Sequence, residues 1–155
     1  MKQILLILLA YLISLSAQAN SPLTEAELIA LTQQFIEAKN QRQQPDSDEK
    51  DVEHFLSFLA DEFKDEHVKF NVTVTSKEEL KAGMIAKLDD KIYFSNIDIL
   101  EIMVGRNVTF VKFSEHAKGQ PSHMDKPIEY TAINIMSLEF NDLGKITHIR
   151  RHHGL

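Results

Sequence analysis

The chain has 155 residues, a formal net charge of −6 and no cysteine. Its length suits one domain with a core of its own, and the missing thiols exclude cysteine-thiolate chemistry and the small disulfide-stapled secreted scaffolds. The acidic balance disfavours nucleic acid as a partner and gives no general attraction to anionic lipid; only residues 145–153 are locally basic.

Lys2, the apolar run from Ile4 to Ile13 and Ala17-Gln18-Ala19 give a charged start, an apolar centre and a small-residue cleavage site, so residues 1–19 are predicted to be a signal peptide and 20–155 the mature domain, periplasmic or secreted. A retained anchor needs ~20 apolar residues, and Ser14, Ser16 and Gln18 interrupt the run too early. No cysteine follows to take a lipid. Loss of Lys2 leaves 16 basic against 23 acidic residues, a net charge of −7.

In chain order, Thr24-Glu25-Ala26-Glu27 between Leu23 and Leu28 is a capping box with a hydrophobic staple. Leu28, Leu31, Phe35 and Ala38 then mark one face of a first helix, broken within residues 41–50 by Pro45 and the lack of apolar residues. Val52, Phe55, Leu56, Leu59 and Phe63 predict a second helix with a buried stripe. From His67 the period changes to two: Val68, Phe70, Val72 and Val74 alternate with His67, Lys69, Asn71 and Thr73, predicting a strand with one buried face. Ser76-x-x-Glu79 opens a third helix carrying Leu80, Met84 and Leu88, weakened by Gly83.

The rest reads as sheet. Residues 97–104 and 108–113, joined by Gly105-Arg106-Asn107, predict an antiparallel hairpin; 114–127 reads as a long polar loop. Residues 128–140 and 145–152 form a second pair across Asn141-Asp142-Leu143-Gly144, whose Asn, Asp and Gly supply turn geometry. Three helices followed by antiparallel strands make an α+β order, with the helices on one face of a curved sheet.

The order of elements, the phrase Phe58-Leu59-Ala60-Asp61-Glu62 and the ending Phe140-Asn141-Asp142-Leu143-Gly144-Lys145-Ile146 resemble the nuclear transport factor 2-like superfamily, in its SnoaL-like branch of polyketide cyclases beside the ketosteroid isomerases. The resemblance implies a cone: three N-terminal helices packed on a strongly curved antiparallel sheet, with one open apolar pocket. Such a pocket is the default place to look for binding, and the fold alone does not decide the chemistry.

By the same resemblance, the isomerase tyrosine falls on Phe35, its aspartate base on His67 and its hydrogen-bonding acid on Met136. None matches, and neither Phe35 nor Met136 can donate a hydrogen bond to a developing enolate, so ketosteroid isomerisation is disfavoured. His67 can act as a base near neutrality, or be a polar residue at a strand start beside Asp65 and Glu66. If the isomerase register holds, Thr147, Ile149, Arg151 and His153 face the interior while His148, Arg150 and His152 face out. Arg151 and His153 then hold an anionic or carbonyl group, Arg151 through its forked donors, or belong to a solvated basic strand. Asn134 shares pocket parity with Ala132, Met136 and Leu138 and either meets ligand or satisfies a backbone group. The ligand-binding candidates are thus Asn134, Arg151, His153, Phe35 and Met136, with His67 as the catalytic one.

Other features read blandly. His148-x-x-x-His152-His153 cannot ligate one metal from a strand, where residues four apart lie ~13 Å from each other. Asp61, Glu62, Asp65 and Glu66 read as a solvated acidic surface. The Asn71 and Asn107 sequons fall in expected strands, and nothing resembles a phosphate loop or a nucleophile elbow. No cofactor or metal is expected. Two functions follow: a small, partly apolar ligand in the cone, with cofactor-free acid/base chemistry on it, or an interaction module whose sheet, exposing Ile133 and Ile135, pairs with itself as a homodimer or with another exported protein.

Overall fold

The computed structural model describes residues 22–153, so the expected signal peptide and its cleavage site at Ala19 lie outside the described residues. Among those residues no helix is long and apolar enough to cross a membrane. Helix α1 (Glu25–Gln41) starts as its sequence predicts: the Glu27 amide donates to the Thr24 hydroxyl and the Thr24 amide to the Glu27 carboxylate. It buries Leu28, Phe35, Ile36 and Ala38, but also Thr32 and Lys39. Helix α2 (Glu49–Leu56) has a second capping box, built by Asp48 and Asp51, and buries Val52, Phe55 and Leu56. Helix α3 (Lys77–Ile85) is capped by the Ser76 hydroxyl, which accepts from the Glu79 amide, and runs into a 3₁₀ turn, Ala86–Asp89.

The strands are β1 (Leu59–His67), β2 (Val72–Val74), β3 (Lys91–Gly105), β4 (Val108–Gln120), β5 (Ile128–Phe140) and β6 (Ile146–Arg151). They form a six-stranded sheet in the order β2-β1-β6-β5-β4-β3. All neighbours are antiparallel except β1 and β6. The parallel pair brings the middle of the chain beside its end: His67 lies opposite Arg151. The expected α+β architecture, three helices on a mostly antiparallel sheet, is the one observed. Its core gathers Phe35, Phe55, Phe113, Leu138, Ile146 and Ile149, each at most 1% exposed. At the β5–β6 turn, Gly144 has φ +72°, where a Cβ would also stand 3.1 Å from the Leu31 side chain, so glycine is required there on two counts.

Three segments differ from expectation. The second helix ends at Leu56, and Leu59 and Phe63 belong to β1; a spacing of four places residues on one face of a helix and of a strand alike. The expected strand from His67 is interrupted by a 3₁₀ turn, Val68–Phe70, and by Asn71 in the left-handed region at φ 51°, which asparagine tolerates. Only β2 remains, short and at the sheet edge, and Val68, Phe70 and Val72 are exposed. Residues 114–120 are not loop but the second half of β4. Their polar composition conceals a strand with one face in solvent and the other, through Glu115 and Ala117, turned inward.

Candidate functional site

The buried face of α1 carries the site's first surprise. Thr32, Phe35 and Lys39 follow one another at helical spacing, and all three are buried. Phe35 is 0% exposed, its ring 4.9 Å from that of Phe55 and 6.0 Å from that of Phe58. It is therefore a core residue and does not line the cavity, contrary to its expected ligand-binding place. One turn further on, Lys39 extends toward β4 and meets Glu115 at 2.8 Å, both side chains under 10% exposed. Glu115 also accepts from Gln43 at 3.3 Å and from the Tyr130 hydroxyl at 2.9 Å. Burial works to raise the Glu115 carboxyl, but attraction and hydrogen bonding from Lys39, with bonds from Tyr130 and Gln43, hold it below its ordinary value. Burial lowers the Lys39 ammonium to about 8 despite Glu115, and raises the Tyr130 phenol together with that same carboxylate.

Above this network lies a cavity of about 410 Å³. Phe113 of β4 and Ala132, Asn134 and Met136 of β5 form one wall, alternate residues sharing a face as the period of two requires. Lys39, Arg42 and Gln43 close it from the helix side, and His67, Arg151 and His153 from the β1–β6 side, with Lys87 at the rim. Five of the six expected site residues therefore meet here: His67, Asn134, Met136, Arg151 and His153.

Arg151 is engaged differently from expectation. Its Nε donates to Asp65 Oδ1 at 2.8 Å and its Nη2 to Oδ2 at 2.7 Å, a fork on a carboxylate that is 0% exposed. Asp65 is thus no part of a solvated acidic surface. It faces inward beside Phe63 on β1 and anchors Arg151. His67 Nε2 stands 3.9 Å from the same carboxylate, with its side chain 32% exposed. Burial and repulsion from Arg151 lower the His67 imidazole, outweighing the pull of Asp65, which favours the neutral ring that a general base needs. His153, 5.9 Å away between ring centres, is lowered by burial and by Lys69 and Arg151.

Two buried nitrogens on residues that line the cavity are left without hydrogen-bond partners. Arg42, which terminates α1 and lies 4.6 Å over the Phe55 ring, has a buried Nε with no hydrogen bond. His153 Nε2 is in the same condition, on a residue held at φ 55°. Lys39, Arg42, Lys87 and Arg151 give the cavity four cations, and Glu115 with Asp65 behind Arg151 balances two of them. An acidic chain has concentrated a positive field in its pocket.

Of the other histidines, His116 pairs with Glu129 at 3.1 Å and His148 with Glu66 at 2.8 Å. Among the described residues no cluster of three or more His, Asp or Glu side chains is arranged to hold a metal.

Lys39, Arg42, Glu115 and Asp65 are the participants that sequence reasoning missed. A signal existed for three of them. Lys39 falls on the apolar face of α1, Asp65 shares parity with Phe63, and Glu115 shares parity with Phe113 once β4 is continued.

No protein-family model matches the chain, and no curated protein sequence matches it. Solved structures do. A candidate SnoaL-like polyketide cyclase from Shewanella putrefaciens CN-32 superposes with a TM-score of 0.66 at 14% identity, over 82% of this chain and 79% of that one. An NTF2-like protein of unknown function from Burkholderia pseudomallei K96243 gives 0.63 at 13% identity, over 83% and 91%. An LEH-like epoxide hydrolase from M. tuberculosis gives 0.61 at 15% identity, over 83% and 84%. With three helices packed on a six-stranded, mostly antiparallel sheet, the chain shares the NTF2-like fold of these structures.

Proposed function

We propose that the protein is an exported domain that binds, in its cone, a small molecule joining an apolar body to an anionic or carbonyl group. The observation that carries this reading is the charge of the cavity: four cations, of which only Lys39 and Arg151 have carboxylate partners, face an apolar wall of Phe113, Ala132 and Met136 in a chain of net charge −6, and Arg42 Nε and His153 Nε2 have no hydrogen-bond partner. Buried donors without partners carry an uncompensated desolvation cost, which an oxygen-rich ligand group offsets.

The chemistry that suits this pocket is cofactor-free proton transfer next to a carbonyl. Neutral His67 removes a proton from the α-carbon, the electron pair shifts onto the carbonyl oxygen, and Arg42 and His153 hydrogen-bond the resulting enolate. Reprotonation by the His67 imidazolium closes the cycle. Ketosteroid isomerisation stays disfavoured, because Phe35 is enclosed in the core and Met136 has no proton to donate. Neighbours in this fold include a candidate cyclase and an epoxide hydrolase, so the fold leaves the reaction to be read from the site.

Native mass spectrometry of the protein purified from the envelope of producing cells tests both halves of the proposal. The expected species begins at Asn20 and carries a non-covalently bound anionic molecule. A full-length chain would contradict export, and a chain that is empty and takes up no added carboxylate would contradict the ligand.

A second reading rests on the outer sheet face. Met103 and Phe110 lie opposite each other on β3 and β4, Ile133 and Ile135 continue the face on β5, and all four are more than a third exposed. Such a patch suits pairing of two sheets in a homodimer. Sedimentation at rising concentration should then show a dimer; a monomer throughout would remove this reading.

A further inference from the structure

The concave rows that build the cone do not stop at Glu115 and Tyr130. On β4 the inward series Phe113, Glu115 continues to Ala117 and Gly119. On β5 the series Met136, Asn134, Ala132 continues through Tyr130 to Ile128. Together with Ile92, Phe94 and Ser95 of β3, these outer residues line a second cavity of about 180 Å³. Gln43 and Tyr130 border both cavities. The distance along β5 from Asn134 to Ile128 is six residues, or ~20 Å at strand rise.

Small residues create the space. At Gly119 an added Cβ would stand 3.3 Å from the Ile92 side chain and 3.4 Å from the Lys91 carbonyl, so any larger residue crowds the compartment. The walls from Ile92, Ala117 and Ile128 are apolar, with Asp90, Lys118 and Gln120 also on the lining, and the volume is close to that of a ~150 Å³ cavity that accepts benzene. One polar atom stands out: the hydroxyl of Ser95, a residue 2% exposed that lines this cavity, has no hydrogen-bond partner.

We infer that this second compartment receives an apolar arm of the same ligand, of the size of one aromatic ring and bearing a single hydroxyl or carbonyl oxygen for Ser95. This rests on the anionic-ligand reading above. The full ligand is then an amphipathic carboxylate, its head among Arg42, Lys87 and His153 and its arm beyond Tyr130. Between the two, Glu115 is already neutralised by Lys39 and hydrogen-bonded by Tyr130; in the compartment itself Asp90 accepts from the Ser122 amide and Lys118 pairs with Glu129.

Calorimetric titration of the protein with butyrate, phenyloctanoate and its para-hydroxyphenyl analogue tests the inference. Phenyloctanoate should bind at least tenfold more tightly than butyrate, and the phenol at least threefold more tightly again. Ala117→Phe fills the compartment, and Ile128→Asp charges its rim at a position 43% exposed, where the fold tolerates the change. Each should remove the phenyloctanoate advantage and leave butyrate unchanged, and Ser95→Ala should abolish only the gain from the phenol. If neither butyrate nor phenyloctanoate binds, the anionic-ligand reading falls and the compartment with it. If butyrate binds but phenyloctanoate binds no more tightly, or its advantage survives Ile128→Asp, the compartment alone is overturned. A phenol with no advantage in the unaltered protein overturns the role of Ser95.

Discussion

Asp65 and Arg151 are 86 residues apart in sequence and share two hydrogen bonds of 2.8 and 2.7 Å, made possible because β1 and β6 run parallel and bring His67 opposite Arg151. The pair lies on the β1–β6 side of the cavity, with Asp65 fully buried and the Arg151 side chain 12% exposed. Removing one partner strands the other's charge in the interior, which costs about 3–5 kcal/mol. Asp65→Asn and Arg151→Met should each lower the denaturation free energy by that order, while the double variant recovers part of the loss. Urea unfolding of all four proteins measures this, and additive losses would show that the pair is not coupled.

Phe35 separates stability from binding. It packs on Phe55 and Phe58, fully buried and off the cavity lining, so Phe35→Ala should cost about 3–5 kcal/mol of stability. The milder Phe35→Leu should leave carboxylate affinity within about twofold while still lowering the unfolding midpoint. A large affinity change in a folded Phe35→Leu protein would return this residue to the ligand site.

His67 as base predicts exchange of carbon-bound protons. In deuterated water, levulinate should take up deuterium next to its carbonyl in the presence of the protein. His67→Gln should slow this about 10²–10⁴-fold, the usual contribution of general base catalysis, with an unchanged circular dichroism spectrum. Equal uptake in the two proteins would remove proton transfer by His67.

Affinity for carboxylates should depend on pH through Lys39. Burial lowers its ammonium to about 8, so the cavity keeps this charge below that value and loses it above. Octanoate binding should be flat from pH 6.5 to about 7.5 and weaken as pH rises through 8 toward 9.5. In Lys39→Met the alkaline weakening should vanish. A profile that is the same with and without Lys39 would place the titrating group elsewhere.

Much of the architecture was legible from local rules. The Thr24 capping box, the apolar face of α1 and the two turns Gly105-Arg106-Asn107 and Asn141-Asp142-Leu143-Gly144 each depend on neighbours within a few residues. What stayed hidden depends on distant ones. Leu59 and Phe63 satisfy helix and strand alike, and only the pairing of β1 with β6 decides between them. The polar half of β4 looks like a loop because its inward face meets a polar network rather than an apolar core. The site divides in the same way: strand parity, in the register that the family resemblance implies, brings Asn134, Met136 and Arg151 to the cavity, while His153 reaches it from beyond the end of β6. Asp65 reads as a surface carboxylate and Glu115 falls in the expected loop, and only long-range packing gives them Arg151 and Lys39 as buried partners.

The central claim is that the cone selects an anionic group, and octanoate against octanamide tests it with the apolar part held constant. Calorimetry should show saturable octanoate binding at least tenfold tighter than that of octanamide, with the gap narrowed in Arg42→Gln and Lys87→Gln. Equal affinity for the two molecules, or no binding of octanoate, would contradict the account.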